Sequence, residues 1–330
     1  MNISSMLWQE ARKETKRALP ILSFPAAQKM NVTVEELVKS APLQAQAMAV
    51  IAGETDTLAS VSLMDLSVEA EAFGATVRFA PDEVPAVIGQ LVSCEEEADA
   101  LQVPDLSAGR ASLCVEAVRK AAETIQYKPV LAGMIGPYSL AGRLMDVTEI
   151  MYACYDEPES VHTVLEKVTQ YLITYGQAMK AAGAAGVMMA EPLAGVLSPE
   201  LASEFSEPYV RRIIDALQTE DFAVIYHNCG NSVPNMLEGI YSLGAAAYHF
   251  GNAVDMEAIL KATPENILVM GNIDPVGQFA AGTPQSMTDA VHDLMARCGT
   301  YRNFVPSSGC DIPFHAKWDN IQAFFEALKN

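Results

Sequence analysis

Three side chains, widely separated along a chain of 330 residues, have the types that bind a soft divalent metal. His227 and Cys229 stand one residue apart in His227-Asn228-Cys229, and Cys310 lies in a Gly309-Cys310-Asp311 turn. On an extended backbone, residues two apart point to the same side, so His227 and Cys229 can address one centre from the end of a strand. A His/Cys/Cys set suits Zn²⁺ and leaves one tetrahedral position open, the pattern of catalytic rather than structural zinc. Glu191, directly after Met189-Ala190, could fill that position and leave when substrate arrives. Each residue also has a plainer reading. A His-x-Cys pair recurs by chance, and buried cysteines usually act as small hydrophobes. Glu191 ahead of Pro192 could cap the helix after its loop, and Asp65, after Leu63-Met64, could be an N-cap residue. His249 could be a satisfied core histidine. Cys94, Cys114, Cys154 and Cys298 read as small hydrophobes, and His162, His292 and His315 as ordinary helix or loop residues.

For His227, Cys229, Cys310, Glu191 and Asp65 to meet, the fold must gather distant segments. Short apolar runs of strand length alternate with long amphipathic stretches: 57–63, 129–135, 186–190, 223–227, 245–250, 267–271 and 303–306 read as strands, and 159–182 and 199–219 as helices. Repeated strand-helix alternation predicts a closed parallel barrel rather than an open doubly wound sheet, and its strands would deliver their downstream residues to one face. All five residues end or follow candidate strands. The segment 76–79 reads either as a hairpin partner of the first strand or as a barrel strand. The first fifty residues read as helices, with Thr33-Val34-Glu35-Glu36 as a capping box. The expected organisation is one domain over residues 1–330 with residues 1–50 as a helical cap. No Gly-x-Gly-x-x-Gly or Gly-x-x-x-x-Gly-Lys-Ser/Thr run is present, so dinucleotide and P-loop chemistry lack their phosphate-binding loops.

The charge narrows the partners. With 21 basic and 41 acidic residues the net charge is −20, which repels nucleic-acid backbones and anionic lipid. No run of about 18 apolar residues could span a bilayer. The start, Met1 to Lys16, is mixed in charge without an apolar export segment, and six dispersed cysteines do not suggest a disulfide framework. The expected compartment is the cytoplasm.

Six short runs, taken in order, carry a resemblance. They are Ser62-Leu63-Met64-Asp65-Leu66-Ser67-Val68-Glu69-Ala70, Ile135-Gly136-Pro137-Tyr138-Ser139-Leu140-Ala141, Ala190-Glu191-Pro192, His227-Asn228-Cys229-Gly230, Met270-Gly271-Asn272-Ile273-Asp274-Pro275 and Ser308-Gly309-Cys310-Asp311-Ile312-Pro313. Together they resemble the uroporphyrinogen decarboxylase superfamily, and within it the cobalamin-dependent branch that includes the methylcobalamin:coenzyme M methyltransferases. The resemblance runs from about residue 30 to the end and implies an α/β fold, a (β/α)8 TIM barrel with an N-terminal helical extension, in agreement with the alternation.

Two departures separate this chain from the decarboxylases. Where they carry an N-terminal Arg-Gln-Ala-Gly-Arg run for porphyrinogen carboxylates, residues 19–27 read Leu-Pro-Ile-Leu-Ser-Phe-Pro-Ala-Ala, without arginine. Where they carry a His in the last turn, this chain has Cys310. His227, Cys229 and Cys310 match the methyltransferase zinc set, while Asp65 matches the decarboxylases' pyrrole-binding Asp. The resemblance implies methyl transfer from a methylated corrinoid to a small thiol, with Glu191 as resting zinc ligand or thiol base. No Asp-x-His-x-x-Gly cobalamin-binding run is present, so methylcobalamin would arrive free or on a separate corrinoid protein. Rival expectations are a donor or acceptor other than these, a metal-free tetrapyrrole decarboxylase, and a non-catalytic barrel that holds a corrinoid protein.

Overall fold

The computed structural model describes residues 2–329. Nine strands occur among them: β1 (Ser60–Val61), β2 (Thr76–Arg78), β3 (Ala86–Ile88), β4 (Val130–Ile135), β5 (Gly186–Ala190), β6 (Ala223–Asn228), β7 (Ala247–Phe250), β8 (Val269–Ile273) and β9 (Phe304–Ser308). Seven form one curled parallel sheet in the order β1-β4-β5-β6-β7-β8-β9. Helices connect the strands, as parallel pairing requires. The longest, Pro158–Ala181, matches the expected 159–182 closely. The expected 199–219 helix is two, Pro199–Phe205 and Glu207–Leu217, broken at Ser206 with Pro208 in the first turn of the second.

The alternation along each strand sorts side chains into two cores. Leu131, Met188, Ile225, Met270 and Val305 point into the barrel and form one apolar cluster. Their strand neighbours Val130, Val187, Val224, Val269 and Phe304 pack outward beneath the helices in the other. The helix Ile3–Ala11 contributes Ile3, Leu7 and Ala11 to the inner cluster and plugs the end where the strands begin. The opposite end, where the strands finish, is thereby left for chemistry.

The N-terminal expectation needs correction. The described residues up to 50 are not helical throughout: between the helices Ile3–Ala11 and Ala26–Met30 the chain forms no helix. Leu19 N–H donates to the Pro306 carbonyl of β9 at 3.1 Å, and Leu58 N–H, just before β1, donates to the Ala18 carbonyl at 2.9 Å. Residues 18–21 thus stand as an eighth stave between β9 and β1, where Pro20 has no N–H to give. Periodicity missed this segment because it is wholly buried, and buried strands lose their polar alternation. The capping box at Thr33 and Glu36 forms as expected. The 76–79 segment belongs to neither expected partner: β2 pairs antiparallel with β3 outside the barrel. No helix among the described residues is long and apolar enough to cross a membrane.

The inner core fills the barrel directly beneath its mouth. Ile225→Ala should therefore lower stability by about 2–5 kcal/mol in urea unfolding, whereas Tyr155→Ala, 72% exposed, should stay within about 0.5 kcal/mol.

Candidate metal centre

The ends of β6 and β9 bring His227, Cys229 and Cys310 together. One ligand atom from each lies within 4.8 Å of the other two. His227, 1% exposed, stands one residue before the end of β6, in register with Ala190 of β5 and His249 of β7. Asn228 then turns the chain by accepting from Gly230 N–H through Oδ1 at 2.9 Å, which delivers Cys229. The loop after β7 passes so close that a Cβ on Gly251 would meet Cys229 Cα and Cβ at 2.6 Å, so glycine is required there. Cys310 follows β9 beyond Gly309, whose N–H donates to the Ile273 carbonyl at 2.6 Å.

The donor set fits zinc. Cys310 Sγ stands 3.5 Å from His227 Nε2, and a tetrahedron with bonds of ~2.3 Å to sulfur and ~2.0 Å to nitrogen has an S···N edge of about 3.5 Å. The sulfurs also divide a proton unequally. The hydrogen bond from Cys310 pushes Cys229 down, while the same bond pushes Cys310 up. One thiolate is thus favoured before any ion binds, which suits metal capture.

The three side chains do not stand alone. His227 Nδ1 lies 2.8 Å from His249 Nδ1 and 3.3 Å from the His249 carbonyl. His249 Nε2 lies 2.7 Å from Ser307 Oγ, which in turn lies 2.7 Å from the Leu19 carbonyl. His249 and Ser307 are fully buried. Burial holds the His249 ring well below its ordinary pKa, which favours its neutral form. The plainer reading of His249 as a satisfied core histidine is thus correct as far as it goes. It missed that the satisfying partner is the candidate ligand.

Glu191 lies outside the three-donor group. Its carboxylate accepts from Tyr138 N–H at 3.0 Å and Ser139 N–H at 2.6 Å, at the start of the helix Pro137–Met145. It caps a helix, as its plainer reading held, but the one after β4 rather than the one after its own loop. A Cβ on Gly136 would strike Glu191 Oε2 at 2.5 Å, so glycine makes room for this cap. Complete burial pushes the Glu191 carboxyl up to about 7, against the lowering effect of those hydrogen bonds.

Asp65 is occupied too. Oδ1 accepts from Ser67 N–H and Oγ–H, and Oδ2 pairs with Arg110 Nη1. Arg110, 7% exposed, also bonds Glu71 through Nε at 2.6 Å and Ser67 through Nη2 at 2.8 Å. The residue that opens the next helix is Ser67, so Asp65 is not an N-cap. Arg110 was invisible as a site neighbour in the sequence because its partners lie about forty residues upstream.

Known proteins resemble this chain in sequence and in fold. The sequence model of the family described as Uroporphyrinogen decarboxylase (URO-D) matches residues 16–330. The chain belongs to the uroporphyrinogen decarboxylase family. It is 26% identical over 339 residues to the methylcobamide:CoM methyltransferase MtbA of Methanosarcina acetivorans, covering 98% of this chain and 96% of that protein. It is 27% identical over 289 residues to the uroporphyrinogen decarboxylase of Psychromonas ingrahamii, covering 83% and 78%. A solved structure, a methyltransferase from Methanosarcina mazei, superposes with a TM-score of 0.85 at 19% identity and covers 97% of both chains, which shows the barrel fold.

Two predictions follow from the buried charges. Arg110→Met removes the counterion of Asp65 and should cost about 3–5 kcal/mol in chemical unfolding. Glu69, fully buried with Oε1 accepting from Ile135 N–H, is pushed by burial from 4.5 up to about 7. Folded Glu69 keeps a proton that the unfolded chain releases above pH 4.5. Its contribution is therefore full at lower pH and is lost as pH rises to about 7. Melting temperatures taken from pH 5 to pH 8 should fall less steeply in Glu69→Gln than in the unsubstituted chain.

Proposed function

We propose that this chain is a zinc-dependent methyltransferase that moves a methyl group from a methylated corrinoid to a small thiol such as coenzyme M. The observation that carries this reading is the three-donor group at the mouth of the barrel, His227, Cys229 and Cys310 within 4.8 Å. The similarity over nearly the whole length to a methylcobamide:CoM methyltransferase supports it. His227, Cys229 and Cys310 would hold the zinc, which when bound would make a substrate thiol acidic enough to ionise at neutral pH. Two thiolates and a neutral imidazole balance a divalent ion. An acceptor thiolate added to that set keeps a net negative charge and its nucleophilicity.

In the reaction proposed, the acceptor loses its S–H proton and its sulfur lone pair forms the S–CH₃ bond. The Co–CH₃ bonding pair stays with the corrinoid. Of the two roles expected for Glu191, its hydrogen bonds favour proton acceptor over fourth ligand. Ligation would pull the carboxylate off the Tyr138 and Ser139 N–H groups, whereas a carboxyl held at about 7 can take a proton in place. Asp65 we assign to orienting the mouth through Arg110. The corrinoid would be supplied free or by a separate corrinoid protein docking at the same mouth.

A tetrapyrrole decarboxylase is the second reading, because decarboxylases are also among the relatives. Against it, residues 19–22 lie fully buried in the barrel wall, where they offer no cationic clamp for porphyrinogen carboxylates. The test is metal analysis together with a spectrophotometric assay of methylcobalamin demethylation. The acceptors are a panel of thiols and tetrahydrofolate, each with and without added zinc. The expected result is about one zinc per chain, lost in Cys310→Ala, and thiol-dependent demethylation that is lost with it. Equal zinc in both proteins, or decarboxylation of uroporphyrinogen without demethylation, would overturn the proposal.

A further inference from the structure

With one N–H on each imidazole, the hydrogen-bond chain behind His227 has one consistent arrangement of protons. The Leu19 carbonyl can only accept, so Ser307, 2.7 Å away, donates its single hydroxyl proton there. Ser307 Oγ, also 2.7 Å from His249 Nε2, must then accept from that nitrogen. A neutral imidazole carries one N–H, so His249 Nδ1 is a bare acceptor. Facing it at 2.8 Å, His227 Nδ1 must supply the proton. The other end gives the same answer independently, because the His249 carbonyl, again acceptor only, lies 3.3 Å from His227 Nδ1. The lone pair of His227 therefore sits on Nε2, the nitrogen 3.5 Å from Cys310 Sγ.

We propose that His249 and Ser307 are positioning residues that lock His227 in its Nδ1–H tautomer, so that Nε2 presents a metal-ready lone pair before any ion arrives. This rests on the zinc reading above. A histidine ligand commonly donates its distal N–H to a carboxylate, a backbone carbonyl or water, and that bond fixes tautomer and ring orientation. Here the principal acceptor is a neutral imidazole, which fixes the tautomer without adding negative charge to a set that already holds two thiolates. The intervening strand leaves the path open. Asn272 of β8, in register with Ser307, sends its amide to the Gly251 and Val254 carbonyls instead. The relay ends on residue 19, in the stave that closes the barrel, so metal readiness is coupled to closure.

The test uses the full chain in three variants, His249→Phe, His249→Gln and Ser307→Ala, with two readouts besides activity. Long-range ¹⁵N spectra of histidine-labelled, chelator-stripped protein report which ring nitrogen of His227 is protonated. Competition against a zinc chelator reports affinity. The expected result is Nδ1–H in the unsubstituted chain, and a loss of roughly 10–100-fold in zinc affinity for His249→Phe. His249→Gln, whose amide oxygen can accept the same proton, should regain most of that affinity. Ser307→Ala, a small change that tests the relay even if His249→Phe fails to fold, should show mixed tautomers and weakened zinc binding. A His227 protonated at Nε2 in the unsubstituted chain, or zinc binding unchanged in both His249→Phe and Ser307→Ala, would overturn the proposal. If the unsubstituted chain binds no zinc, the reading of the preceding section fails, while the tautomer spectra still decide the relay.

Discussion

An imidazole can offer a metal its lone pair only when its proton is held on the other nitrogen. In this chain that constraint reaches deep into the fold. The proton of His227 is directed to His249, the proton of His249 to Ser307, and that of Ser307 to the backbone of residue 19. Three strands and the N-terminal stave must be in place for the chain of donors to run in one direction. The site is therefore a property of the closed barrel rather than of the His-x-Cys run alone.

The setting explains why such a chain is stable. It lies as a polar layer on an apolar interior filled by Ile225, Met270 and Val305, with an N-terminal helix sealing the far end. Buried polar groups without partners cost about 1–3 kcal/mol each, so a layer of this kind persists only when every member is satisfied. His227, His249 and Ser307 meet that condition by serving one another. The residue left with a lone pair to spare is the one facing two thiols.

The carboxylates around the mouth divide the labour differently. Asp65 is neutralised by Arg110, which also bonds Glu71 and Ser67 and stacks over Phe79 at 4.9 Å from the ring centre. Glu191 is held by the N–H groups that start a neighbouring helix. Both side chains are integral to the architecture that surrounds the thiols and imidazole. Asp311, next to Cys310, is different: its Oδ1 is buried without a hydrogen-bond partner among the described residues, and burial holds its carboxyl well above the ordinary range.

Residue order and type alone determined the barrel class, most of its strands and the three side chains that gather at its mouth, because strand-helix alternation and soft ligand types at strand ends are local patterns. The six ordered runs that resemble the uroporphyrinogen decarboxylase superfamily carried the rest of that reading. Tertiary structure alone decided the eighth stave, the partner of β2, the helix that Glu191 caps, and the roles of His249, Ser307 and Arg110. Apart from β2 and its near neighbour β3, each of these is a pairing between segments tens to hundreds of residues apart, and a buried polar residue advertises its need for a partner without naming it. Spacing along the chain identifies which atoms can bind a metal; only the packed barrel sets which nitrogen keeps its proton.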